Sequence, residues 1–127
     1  MSSSRGPATI ATALSAAVRH IRRVVRAADP ARPASLALLR NTGWQLIQLT
    51  GELTDLAALL AEHTSGHLAH AEQVYQADGQ PGIPPLTRAS RDLADLRQAL
   101  DAASTAARDF YSAISQLSPA EPHAVTP

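Results

Sequence analysis

Apolar residues recur every three or four positions through most of this 127-residue chain. This spacing limits the fold more than any other feature, because it places apolar side chains along one face of an α-helix. A period close to 3.5 residues is typical of helices that pack in a left-handed, coiled-coil-like bundle. We therefore predict an all-α protein with heptad packing.

Prolines and glycines divide the pattern into three helices, which we predict near residues 8–28, 34–78 and 86–117. The first ends before Pro30, and the second ends where Gly79 can supply a left-handed C-terminal cap. Pro84 or Pro85 opens the third. Because short connections make consecutive helices antiparallel neighbours, we expect an elongated antiparallel bundle.

The second helix could break in two near Ser65 and Gly66, which would give four helices. The apolar spacing keeps its phase across Gly66, and this favours a continuous or kinked helix. We predict one helical domain over residues 8–117. The Ser-rich start, 1–7, and the Pro-rich tail, 118–127, are predicted to be disordered.

The apolar lines of the second and third helices are expected to face each other. In the second helix the line is Leu39, Thr42, Leu46, Leu49, Leu53, Leu56, Leu60, His63, His67, His70, Val74 and Ala77. In the third helix it is Leu86, Ala89, Leu93, Leu96, Leu100, Ala103, Ala107, Phe110, Ile114 and Leu117.

Composition narrows the class of protein further. The chain is 45% hydrophobic but has one Trp, two Tyr and one Phe, which suits a helical core of Leu, Ala, Ile and Val. The absence of cysteine excludes disulfides and thiolate metal sites. No apolar run approaches the ~20 residues of a membrane span. The small-residue run after Arg5 continues into the helical pattern, so we expect a folded helix rather than a secretory signal, and a cytoplasmic protein.

Three of the five histidines, His63, His67 and His70, share one helix face and extend the leucine line. One straight helix cannot place all three on one ion, because His63 and His70 lie about 10 Å apart along the axis. The histidines are therefore expected to be polar residues between helices. Two alternatives stay open, a pH-sensitive contact and a metal site completed from elsewhere.

Arg19, Arg22, Arg23 and Arg26 occupy an arc of about 100° on the first helix, opposite its apolar residues. Residues 1–40 carry seven Arg and one acid, whereas residues 41–127 carry four Arg and ten acids. This arginine face is expected to be solvated or paired with the protein's own acids across a subunit boundary. Nucleic-acid phosphates and an anionic membrane surface are the alternative partners.

Three residues lie off the predicted apolar lines and are candidates for an interface with another chain. Trp44 is either covered by the first helix or exposed as an anchor for a partner. Leu68 and Tyr75 lie in the half of the second helix that only the third helix can cover. We therefore predict a homodimer or larger assembly, and a protein partner of unknown identity.

No catalytic pattern appears in the sequence. There is no glycine-rich phosphate loop, and nothing arranges Ser, His and Asp as a triad. We therefore expect no enzymatic activity and no cofactor. The leading hypothesis is a self-associating adaptor or structural module. The alternatives are a nucleic-acid accessory protein that uses the arginine face, and a metal-binding bundle that uses the histidines.

Overall fold

A computed structural model describes the backbone of residues 2–119 and the side chains of residues 9–119. It contains three helices, α1 (Ser2–Ala27), α2 (Leu36–Ala69) and α3 (Ile83–Ser115), and a 3₁₀ turn at Ala71–Gln73. The chain divides into two compact units, residues 1–34 and residues 35–127. The all-α prediction is confirmed. The predicted disorder of 1–7 and 118–127 stays a prediction, and residues 120–127 lie outside the described part.

The first unit consists mainly of α1, which is amphipathic along its length. Within residues 9–27 its larger apolar side chains are half-buried or exposed, and Val24 and Val25 are 69% and 67% exposed. No helix within residues 2–119 has the length and hydropathy needed to cross a membrane.

The second unit is an antiparallel hairpin of α2 and α3. Ser35 begins α2 as its N-cap, because its hydroxyl accepts a hydrogen bond of 3.1 Å from the Leu38 N–H. Near the open end of the hairpin, a Cβ on Gly43 would lie 3.1 Å from the Phe110 ring and 3.4 Å from the Tyr111 Cα. The early part of α2 therefore packs against the late part of α3.

Helix α2 is continuous through Gly66, but it ends at Ala69 rather than near residue 78. The following residues form an ordered turn in which Tyr75 and Pro81 make an antiparallel bridge. Two hydrogen bonds close this turn, from the Gln76 N–H to the Gln80 carbonyl at 2.7 Å and from the Gly82 N–H to the Val74 carbonyl at 2.9 Å. The prediction that Gly79 caps α2 is wrong, because Gly79, with φ of 86°, lies inside this turn.

The residues of α2 that face α3 are displaced by one position from the predicted leucine line. Every residue of this facing line is buried or half-buried: Gly43, Ile47, Thr50, Thr54, Ala57, Ala61, Thr64 and Leu68. In the second half of α3, Ser104 is buried in place of the predicted Ala103, and Tyr111 is half-buried beside Phe110, whose ring lies against Gly43. One residue corresponds to about 100° around the helix.

Small side chains explain this displacement. The buried residues of the two helices are Gly43, Ala57, Ser104 and Ala107, and no large side chain among the described residues is fully buried. Glycine, alanine and serine allow close backbone approach, which leucines at the same positions would prevent. Thr50, Thr54 and Thr64 fit the same line, since each hydroxyl donates to the carbonyl four residues earlier at 2.9–3.0 Å.

Two glycine substitutions test the turn and the continuity of α2. A Cβ on Gly82 would lie 2.6 Å from the Val74 carbonyl oxygen, so Gly82→Ala should lower the free energy of unfolding by about 1–3 kcal/mol. A Cβ on Gly66 would meet nothing within 4 Å, so Gly66→Ala should raise it by about 0.5–1 kcal/mol. Urea unfolding followed by circular dichroism at one protein concentration measures both. A destabilising Gly66→Ala would contradict the helical conformation at that residue.

Candidate interaction surfaces

The predicted leucine line forms an exposed side of the hairpin instead of its interior. We give the name leucine face to the apolar residues one position before the facing residues: Leu46, Leu49, Leu53, Leu56 and Leu60 on α2, and Ala103 on α3. Leu46 and Leu49 are 41% and 38% exposed, and Leu53, Leu56 and Leu60 are half-buried. The leucine face has the heptad spacing of a helix-packing surface, but α3 covers it only in part.

The opposite side of the hairpin carries a polar groove of about 550 Å³. We call it the acidic groove because three carboxylates line it, Glu52 and Asp55 from α2 and Asp101 from α3, with Arg108 as the single cation. The remaining lining residues are Ile47, Gln48, Gly51, Thr54, Ser104 and Thr105. A Cβ on Gly51 would meet nothing within 4 Å, so the groove is open above this residue.

The helix register places the two surfaces on opposite sides. On α2, Gly51 and Asp55 come one residue after the facing residues Thr50 and Thr54, whereas the leucines come one residue before. The same order holds on α3. Positions displaced in the same sense on two antiparallel helices lie on the same side of the pair. The hairpin is therefore apolar on one side and acidic on the other.

Trp44 lies one turn before the groove residues of α2, at the open end of the hairpin. Its ring centroid is 5.7 Å from that of Tyr111 with a tilt of 54°, and the residue is 47% exposed. A shallow pocket joins Trp44 and Tyr111 to Ala37, Arg40 and Asn41. Arg40 also donates a hydrogen bond of 3.3 Å to the Leu117 carbonyl. Trp44 is thus exposed enough to contact another chain, while Tyr111 holds its ring.

The four arginines of the arginine face are all exposed, as the helical spacing predicts. Among the residues with described side chains, none of the four forms an ion pair with a carboxylate. Their side chains border a shallow groove together with Ala27. This surface is available for an acidic partner.

The expectation that the histidines lie between α2 and α3 is wrong. His63, His67 and His70 are exposed, because the line that faces α3 runs through Thr64 and Leu68. Within residues 9–119, no group of three or more His, Asp and Glu side chains is arranged to hold a metal ion. A metal at this position would need ligands from another chain, and the pH-sensitive contact stays a prediction.

The other two predicted interface residues have different environments. Leu68 is half-buried on the facing line, so the expectation that it lies off the helix contact is wrong. Tyr75 is 66% exposed and belongs to the turn rather than to α2. Sequence reasoning missed the acidic groove, whose signal was present in Gly51 and Thr54 close to Glu52 and in Ser104 and Thr105 about one turn after Asp101.

Comparison with protein-family models, with curated proteins and with solved structures finds no match to this chain.

The aromatic contact gives a prediction at the open end of the hairpin. Tyr111→Ala should lower the free energy of unfolding by about 1–3 kcal/mol, less than the loss of a fully buried aromatic because Tyr111 is half-buried, and should shift Trp44 emission to longer wavelength. Tyr111→Phe keeps the ring and should change both little. Because Trp44 is the only tryptophan, fluorescence reports on this position alone. Equal effects of the two substitutions would show that the hydroxyl, and not ring packing, matters.

Proposed function

We propose that this chain is a non-catalytic helical interaction module that self-associates through the leucine face. Two hairpins would pack leucine face to leucine face as a four-helix bundle with twofold symmetry. Such a module would serve as an adaptor or structural element, in which the dimer presents its remaining surfaces to other proteins.

The observation that carries this proposal is the pair of adjacent apolar lines on α2. One line faces α3, and the leucine face lies about 100° away with Leu46 and Leu49 41% and 38% exposed. A single neighbouring helix covers only one such line, and a helix that is apolar over a wider arc normally contacts a second neighbour. No large side chain is fully buried among the described residues, so the chain gains stability by covering this surface.

A second copy is the occupant that best fits the leucine face. The face is uncharged and keeps heptad spacing from Leu46 to Leu60, and self-complementary surfaces of this kind form the interfaces of symmetric helical dimers. The nucleic-acid hypothesis depends on the arginine face and the metal hypothesis on the exposed histidines. Both stay predictions, and neither accounts for the exposed leucines.

A charge placed on the leucine face tests the proposal. The wild-type chain is expected to sediment as a dimer or larger species at micromolar concentration. Leu49→Glu should convert it to a monomer while circular dichroism still reports helix, because a carboxylate is costly to bury in an apolar interface. Sedimentation equilibrium gives the mass of both.

The neighbouring residue supplies the matched control. Gln48→Glu introduces the same charge one position away, on the side of the acidic groove, and should leave the dimer intact. A wild-type chain that stays monomeric at high concentration would contradict the proposed self-association. A dimer that survives Leu49→Glu would place the interface elsewhere.

A further inference from the structure

We propose that the acidic groove of one copy binds the arginine face of α1 from a second copy. This inference rests on the proposed self-association and identifies a second, electrostatic contact in the assembly. It assigns a partner to two charge clusters that form no ion pair among the residues with described side chains.

The carboxylates of the groove have no partner of their own. Among the described residues, neither Glu52, Asp55 nor Asp101 forms an ion pair or accepts a hydrogen bond through its carboxylate. They are spread over two helices and are not grouped as a metal site. Three separated carboxylates with one Arg108 suit a partner that presents several cations along a line, and not a single ion.

Ser104 supplies independent support for a ligand in the groove. It is only 9% exposed, lines the groove, and its hydroxyl has no hydrogen-bond partner among the described residues. The two threonines beside it differ, because Thr54 donates to the Thr50 carbonyl at 2.9 Å and Thr105 to the Asp101 carbonyl at 3.3 Å. A hydroxyl that reaches the groove without a protein partner favours a ligand that brings N–H groups.

The arginine face matches this groove in chemistry and length. A guanidinium offers five N–H donors and pairs bidentately with carboxylates. Arg19 and Arg26 are seven residues apart, as are Gln48 and Asp55 on the groove wall, so both spans are about 10.5 Å. Helix α1 carries no acidic residue between Ser2 and Ala27 that would oppose docking.

Reversal of charge on each surface tests the contact in the full-length chain. One variant carries Glu52→Lys and Asp55→Lys, and the other carries Arg22→Glu and Arg23→Glu. Each alone should weaken the salt-sensitive part of self-association by about tenfold or more, since each exposed pair contributes up to about fivefold. Sedimentation velocity at about 0.05 M and about 0.5 M NaCl separates this part from the apolar contact.

Mixing the two variants is the decisive measurement. Arginines of the first variant then meet the native groove of the second, and the reversed surfaces also attract each other, so the mixture should recover association. Native mass spectrometry with one variant isotopically labelled identifies the mixed species. Recovery supports a contact between copies. Failure to recover, with both variants helical by circular dichroism, overturns the contact between copies.

Matched controls change the same charge outside the two surfaces. Glu62→Lys with Asp92→Lys, and Arg32→Glu with Arg88→Glu, should leave the salt-sensitive association unchanged. Ser104→Ala should weaken it without altering net charge. Trp44, at the end of the groove, should change emission on docking in low salt in the wild type and not in the groove variant. Equal effects of control and groove variants would overturn the contact.

The outcomes for the two proposals differ. A wild-type chain that is monomeric in both salt concentrations would sink the self-association itself. The other outcome is a dimer that Leu49→Glu disrupts but that neither salt nor any charge reversal weakens. This result would overturn the groove contact and still support the leucine-face dimer.

Discussion

The close contact between α2 and α3 determines the rest of the structure. The two helices bury only small residues, which are Gly43, Ala57, Ser104 and Ala107. Because the helices meet through small residues, the hairpin gains little apolar burial from its own interface. Many of the larger apolar side chains of α2 are left on one side of the hairpin, the leucine face.

The same contact produces the polar side. Residues that follow the facing line on each helix, among them Gly51, Asp55 and Thr105, form the walls of the acidic groove. One packing solution thus creates two surfaces of opposite character, and the proposals for self-association and for arginine docking both derive from it.

The sequence predicts the class of fold and the existence of three helices, because the period of the apolar pattern is long and regular. It does not predict which of two adjacent heptad lines on α2 faces α3. The leucines at 46, 49, 53, 56 and 60 and the residues one position later, most of them small, have the same spacing, and a hydrophobicity argument selects the leucines. The distance between the backbones of α2 and α3 determines which line faces α3. This distance depends on the combined side-chain volume at Gly43 and Phe110. Because of the same one-residue displacement, the three histidines of α2 are exposed and Leu68 lies on the facing line.

The sequence also does not predict that α2 ends at Ala69. Residues 70–78 keep an apolar spacing, while their backbone hydrogen bonds form the turn.

The ordered turn between α2 and α3 also has a kinetic consequence. Its hydrogen bonds join Gln76 to Gln80 and Val74 to Gly82, residues at most eight apart in the chain. Loops of this length close in well under a microsecond, and proteins rich in local contacts fold fast. The turn should therefore close early in folding. In the proposed assembly, preformed hairpins would then meet in a bimolecular step, with a rate that rises with protein concentration.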